Sequence, residues 1–175
     1  MIRKAAIAVL ATLDTKGEEV AYVKNLLEAL GHSAVVIDVG PLGPPGIPRD
    51  ISNEEIARQA GQELSRLIQR GKRDQIMEEM GKGATNLLLH LYQERKIEGV
   101  IGLGGNQGSA IAATAMRALP FGFPKYLVST VGSGNIRPYV GHKDIGLVFS
   151  VGDFLGGPNP VTRSIMEMLC RPWLG

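Results

Sequence analysis

The chain has 175 residues, 44% hydrophobic and 21% charged, a globular composition that fits one domain with a sizeable core. A formal charge of +2 and few, scattered aromatic residues argue against a nucleic-acid surface, while a single cysteine, Cys170, excludes an internal disulfide and a zinc quartet. No run approaches the ~18 to 20 apolar residues of a membrane span and the start lacks a secretion signal, so the expectation is a soluble, cytoplasmic protein with Cys170 a buried spare thiol.

Ala5 to Thr12 is a continuous apolar run, as a strand covered on both faces requires. Thr15-Lys16-Gly17-Glu18 matches a capping box, and Val20, Val23, Leu27 and Leu30 fall on one helical face until Gly31 ends it. Ala34 to Val39 reads as the second strand. The Gly-Pro-rich segment from Gly40 to Pro48 cannot be regular structure and is expected to form a long exposed loop. Ser52-Asn53-Glu54-Glu55 repeats the capping pattern and opens a helix expected to run to about Gln69, before Gly71. From Lys72 to Arg95, Ile76, Met80, Ala84, Leu87 and Leu91 recur at steps of three and four, which predicts a long amphipathic helix whose Gly81 and Gly83 allow close packing.

Gly99 to Leu103 is the third strand. It leads through Gly104-Gly105-Asn106-Gln107-Gly108 into a helix expected from Ser109 to just before Pro120. Such a turn between strand and helix can wrap an anion, because glycine lets a ligand approach the backbone and the first helical N–H groups lack partners. The spacing is G-x-G-x-x-x-G, neither the dinucleotide fingerprint nor a P-loop, and a simple packing turn remains an alternative. Tyr126 to Thr130 and Ile145 to Val151 read as strands four and five, and Asn159-Pro160 as the cap and first residue of a final helix through Cys170.

Alternating strands and helices predict an α/β fold: a doubly wound, mostly parallel five-stranded sheet of Rossmann or flavodoxin type, helices on both faces. Ligands of such sheets bind beyond the carboxyl ends of the strands. Three polar segments should meet there: Asp14, Thr15, Lys16 and Gly17 after strand one; Gly104, Gly105, Asn106, Gln107, Gly108 and Ser109 after strand three; and Thr130, Ser133, Gly134 and Asn135 after strand four. Lys16 offers a phosphate a point charge, and Thr15 and Ser109 offer hydroxyls. Asp14 can orient Lys16 or hold Mg²⁺ through water, with Asp153 a second candidate carboxylate, whereas Asp144 precedes strand five and belongs at the opposite edge. Singly, each of these groups also fits a cap, a solvated charge or a turn. His32, His90 and His142 show no metal-ligand spacing, and no nucleophile–base pair or carboxylate dyad is identifiable.

The segments Ala11 to Glu18, Gly108-Ser109, Met116 to Pro120 and Ser129 to Gly141, the last containing Ser133-Gly134-Asn135-Ile136-Arg137-Pro138, together resemble one family. It is the ATP-binding amino-terminal domain family of the tomato mosaic virus resistance protein and its bacterial and fungal relatives. The resemblance implies ATP, with or without Mg²⁺, held by the three segments just named. It also implies a second, barrel-like domain that this chain would meet as a partner subunit; self-association is a separate expectation. Asn106 and Gln107 depart from the smaller residues of the family loop. Two other readings stay open: the half-site of a metabolic enzyme binding a phosphorylated or carboxylated metabolite, and an interaction domain using the loop from Gly40 to Pro48.

Overall fold

The computed structural model describes residues 6–152 and 157–171. Strands β1 (Ala6–Ala11), β2 (Ser33–Asp38), β3 (Gly99–Gly104), β4 (Lys125–Ser129) and β5 (Gly146–Phe149) form one all-parallel sheet in the order β2-β1-β3-β4-β5. This is the flavodoxin-like member of the doubly wound class, whose strand order reverses between β1 and β3. The apolar run of β1 follows from its position: Ala8 and Leu10 pack on one face, Ile7, Val9 and Ala11 on the other, all fully buried. Helices α1 (Leu13–Ala29) and α7 (Pro160–Cys170) cover the second of these faces. Helices α2 (Asn53–Gln59), α3 (Leu64–Arg70), α4 (Arg73–Gln93) and α5 (Asn106–Ala118) cover the first, joined by the short α6 (Arg137–Val140).

Close packing explains the α4 glycines. A Cβ on Gly83 would run into the Ile56 carbonyl of α2, and one on Gly81 would lie 3.3 Å from Thr114 of α5.

Four expectations need correction. The helix expected from Ser52 to Gln69 is two helices, because Gly61 takes φ +73° and ends α2, with Gln62 N–H bonding back to the Ala57 carbonyl at 2.9 Å. Helix α1 begins at Leu13, not after a Thr15 cap, and α5 begins at Asn106 with Gly105 in the cap position, three residues before Ser109. Residues 137–140, to which the sequence pattern assigned no element, make a helical turn. The segment from Gly40 to Pro48 is not simply an exposed loop: Gly40 and Pro41 are buried, and Gly46 N–H donates to the Leu13 carbonyl at 2.9 Å, laying the segment over the start of α1.

Asn159 caps α7 as expected, its Oδ1 accepting from Val161 and Thr162 N–H, both at 3.0 Å. At the other end of that helix Cys170 is buried, and desolvation pushes its thiol up to about 11 from 9.0. A raised folded-state value means that its contribution to stability is intact below pH 9 and is lost as pH rises from 9 to about 11. The native protein is accordingly expected to resist iodoacetamide at pH 8 and to react once unfolded in urea. Equal rates in the two states would place the thiol at the surface.

Candidate functional site at the β1/β3 junction

Where the strand order reverses, the carboxyl ends of β1 and β3 open into a cleft of about 300 Å³. One wall is Thr12, Asp14, Thr15 and Lys16 at the β1–α1 junction; the other is Gly105, Asn106, Gln107 and Gly108 at the start of α5. Gly40, Pro41 and Leu42, just after β2, close one side, and Arg73 reaches in from the start of α4. The walls touch: a Cβ on Gly108 would sit 3.5 Å from Thr12 Cγ2.

Two helix N-termini meet here, and they are treated differently. Behind α1 lies the carboxylate of Asp38, at the end of β2, which accepts from Leu13 N–H at 3.2 Å and Gly40 N–H at 3.0 Å and pairs with Arg49 at 2.9 Å. Burial pushes the Asp38 carboxyl above its usual 3.8, and the bonds from Gly40, Leu13 and Arg49 pull against it. A side chain 25 positions away thus supplies the cap that Thr12 does not. Helix α5 has no side-chain cap. Its first intrahelical bond is Ser109 N–H to the Gly105 carbonyl at 3.0 Å, so the Asn106, Gln107 and Gly108 amides precede the ladder and concentrate the positive end of the helix dipole at the cleft.

Side chains hold this end in place. Ser109 is fully buried, its hydroxyl 2.6 Å from that of Ser129 and 3.1 Å from the Gly104 carbonyl, so it knits β3, β4 and α5 together beneath the cleft. Asn106 Oδ1 accepts from the Tyr139 hydroxyl at 2.8 Å, tying in α6. With its amide oxygen turned toward Arg73, Gln107 accepts from both Nε and Nη2, the latter at 2.6 Å, and aims the guanidinium. Lys16 is 92% buried, with only 8% of its surface exposed.

Of the residues expected at the site, the cleft gathers Asp14, Thr15, Lys16, Gly105, Asn106, Gln107 and Gly108. Gly17 is buried one turn into α1, where a Cβ would meet Gly46 at 3.3 Å, and Gly104 lies under the α5 backbone. Thr130 is adjacent, its N–H donating to the Gly104 carbonyl at 3.2 Å. Ser133, Gly134 and Asn135 are exposed on the flank and do not line the cleft; Asn135 Oδ1 accepts from Arg137 N–H at 3.2 Å. Asp153 lies outside the described residues. Asp144 sits at the opposite edge, as expected, bonded to Lys125 Nζ at 2.8 Å. The third segment bordering the cleft follows β2, not β4. Arg73 was missed, although Lys72-Arg73 at a helix start runs against the dipole and so asks for another reason to be there. Among the described residues no three His, Cys, Asp or Glu side chains cluster, and no helix is long and apolar enough to cross a membrane.

Residues 5–172 match the sequence profile described as the N-terminal domain of an uncharacterised protein family, UPF0261. A UPF0261 protein of Clostridium tetani is 43% identical over 169 residues, covering 97% of this chain and 42% of that protein. One from Brucella suis is 34% identical over 170 residues, with 97% and 40% covered. The ToMV susceptible protein tm-1(GCR26) of Solanum lycopersicum is 40% identical over 95 residues, 54% of this chain and 12% of that protein. The chain spans about two fifths of the length of the bacterial relatives.

Proposed function

Because this chain belongs to the uncharacterised protein family UPF0261, as its N-terminal domain, we propose that it is a nucleotide-binding module that holds the phosphates of ATP over the N-terminus of α5. The observation that carries this reading is the convergence of an uncapped helix N-terminus with Lys16 and Arg73 in one cleft at the β1/β3 switch point. The amides of Asn106, Gln107 and Gly108 supply directed donors, the two cations neutralise charge, and Arg73 presents a fork that fits phosphate oxygens in pairs. Asp14 lines the cleft and would hold, through water, a Mg²⁺ carried in by the triphosphate.

The cleft volume favours one second reading. About 300 Å³ is the lower end for a small-molecule site, enough for a triphosphate or a whole phosphorylated metabolite but not for an entire nucleotide, whose adenosine would extend beyond the cleft. Thermal shift with ATP, ADP, AMP and phosphosugars, each with and without Mg²⁺, separates the two. The nucleotide reading expects ATP to raise Tm most; no shift from adenine nucleotides at millimolar concentration, beside a clear shift from a phosphosugar, would replace it with the metabolite reading. Arg73 is exposed, so Arg73→Ala should leave the fold intact and weaken ATP binding about tenfold, the loss of one charge-assisted contact. An unchanged Kd by calorimetric titration would remove Arg73 from the site.

A further inference from the structure

Helix α7 carries more apolar surface than its own domain uses. Met166, Leu169 and Cys170 are buried in the core shared with α1, with Ile165 half-buried against it, while Val161, the outer side of Ile165 and Met168, spaced i, i+4, i+7, form a second stripe along the helix. Val161 is 52% exposed and Met168 49%, and with Val151 beside them they line an open hollow of about 490 Å³. Val151 is held there against its own preference. It takes φ +65°, a region that β-branched residues avoid, in a three-residue turn closed by Gly152 N–H to the Ser150 carbonyl at 2.7 Å and by Ser150 Oγ to the Gly152 carbonyl at 2.8 Å. The strained turn leaves an apolar side chain 63% exposed next to the stripe.

We propose that the α7 stripe with Val151 is the surface on which the C-terminal region of the longer UPF0261 proteins docks. The bacterial relatives carry about three fifths of their length beyond the matched domain, and the domain profile ends at residue 172, two positions past the last residue of α7. The following region therefore starts at the end of the helix that bears the stripe. Size selects the same occupant. Four side chains fall short of the ~800 Å² per partner of a free-standing interface, whereas a region tethered at the helix end is present at millimolar effective concentration and needs only a small contact.

The full-length Clostridium tetani protein contains both parts and provides the test. Its α7-equivalent amides are expected to exchange at least tenfold more slowly than α7 of this chain alone, and the intact protein to unfold in one calorimetric transition. Glutamate at the positions aligned with Val161 and Met168 should split that transition in two and restore fast exchange. Met168→Glu in this chain alone should leave the Tm within about 2 °C, as expected for an exposed site. Equal α7 exchange in the two proteins, or one transition retained in the glutamate variant, would overturn the proposal. So would a dimer of this chain, seen by sedimentation, that Met168→Glu dissociates, since that assigns the face to a second copy. No nucleotide is present in these measurements, so their outcome is independent of what the cleft binds.

Discussion

Gly104→Ala is expected to destabilise the protein by about 3 kcal/mol and to abolish anion binding at the cleft, whereas Gly105→Ala, one residue on, should do neither. A Cβ on Gly104 would lie 2.6 Å from Ser109 N and 2.8 Å from the Gly108 carbonyl carbon, both backbone atoms of the first turn of α5. No rotamer relieves that contact, so β3 and the helix start must separate. Separation also pulls apart the buried Ser109–Ser129 hydroxyl pair, 2.6 Å long, and turns the α5 amides away from the cleft. At Gly105 a Cβ would meet only Thr130 Oγ1, at an ordinary 3.6 Å, and its φ of −82° suits any residue. For a chain of this length, 3 kcal/mol corresponds to a Tm loss of roughly 6 to 12 °C. Thermal denaturation of the two variants, each with and without ATP, reads both effects; similar behaviour of the pair would show that the helix start is not set by Gly104.

Lys125→Met is expected to cost about 3 kcal/mol at neutral pH. The Lys125 side chain is fully buried at the start of β4, and its ammonium group donates to the Pro120 carbonyl at 2.8 Å, the Phe123 carbonyl at 2.7 Å and Asp144 Oδ1 at 2.8 Å. Three donors meet three acceptors. Methionine keeps most of the stem volume and removes all three bonds, leaving two carbonyls and a carboxylate without the donor around which they are arranged. The figure is at the low end for a broken buried pair because Asp144 is 39% exposed and water screens its charge. The Asp144 carboxyl is held below its ordinary 3.8 chiefly by Lys125, with Gly122 N–H next. A depressed folded-state value gives stability that is present above about 3.8 and lost as pH falls through the folded value, so the wild type should weaken on acidification there. Urea denaturation across pH 2 to 7 should show Lys125→Met less stable at pH 7 and the difference from wild type narrowing in acid. A constant difference at every pH would mean that packing, not charge, sets the effect.

The fold was largely legible because the strands obey one rule. Each is a short apolar run bounded by glycine or a helix signal, and helices lie between them, a pattern that only a covered parallel sheet satisfies. What was not legible depends on groups far apart in the chain. The Thr15-to-Glu18 pattern has the form of a capping box, yet α1 starts earlier because Leu13 buries its side chain and Asp38 receives its amide. Gly61, not Gly71, is the first break in the helical run that starts at Ser52. At the cleft, the β1 and β3 segments followed from the rule that ligands sit at carboxyl ends. The β2 segment and Arg73 did not, because their arrival depends on how the chain after β2 folds back. There Asn53 Nδ2 bonds the Gly40 carbonyl at 2.7 Å, and Ile51 pairs beside Ile37. The segment containing Ser133, Gly134 and Asn135 was the reverse case: a distinctive sequence that the fold places on the flank.

The position of β1 between β2 and β3 has a consequence in time. Ile7 pairs with Ala34 on one side and with Gly99 on the other, so the second neighbour leaves the ribosome about 92 residues after the first strand, some 5 to 20 seconds later at ordinary elongation rates. Until then one edge of β1 is open, and the cleft, which needs both strand ends, does not exist. Closing that pairing is the costliest loop in the sheet and is expected to limit the folding rate. A substitution that weakens the β1/β3 pairing is therefore expected to slow folding more than it speeds unfolding.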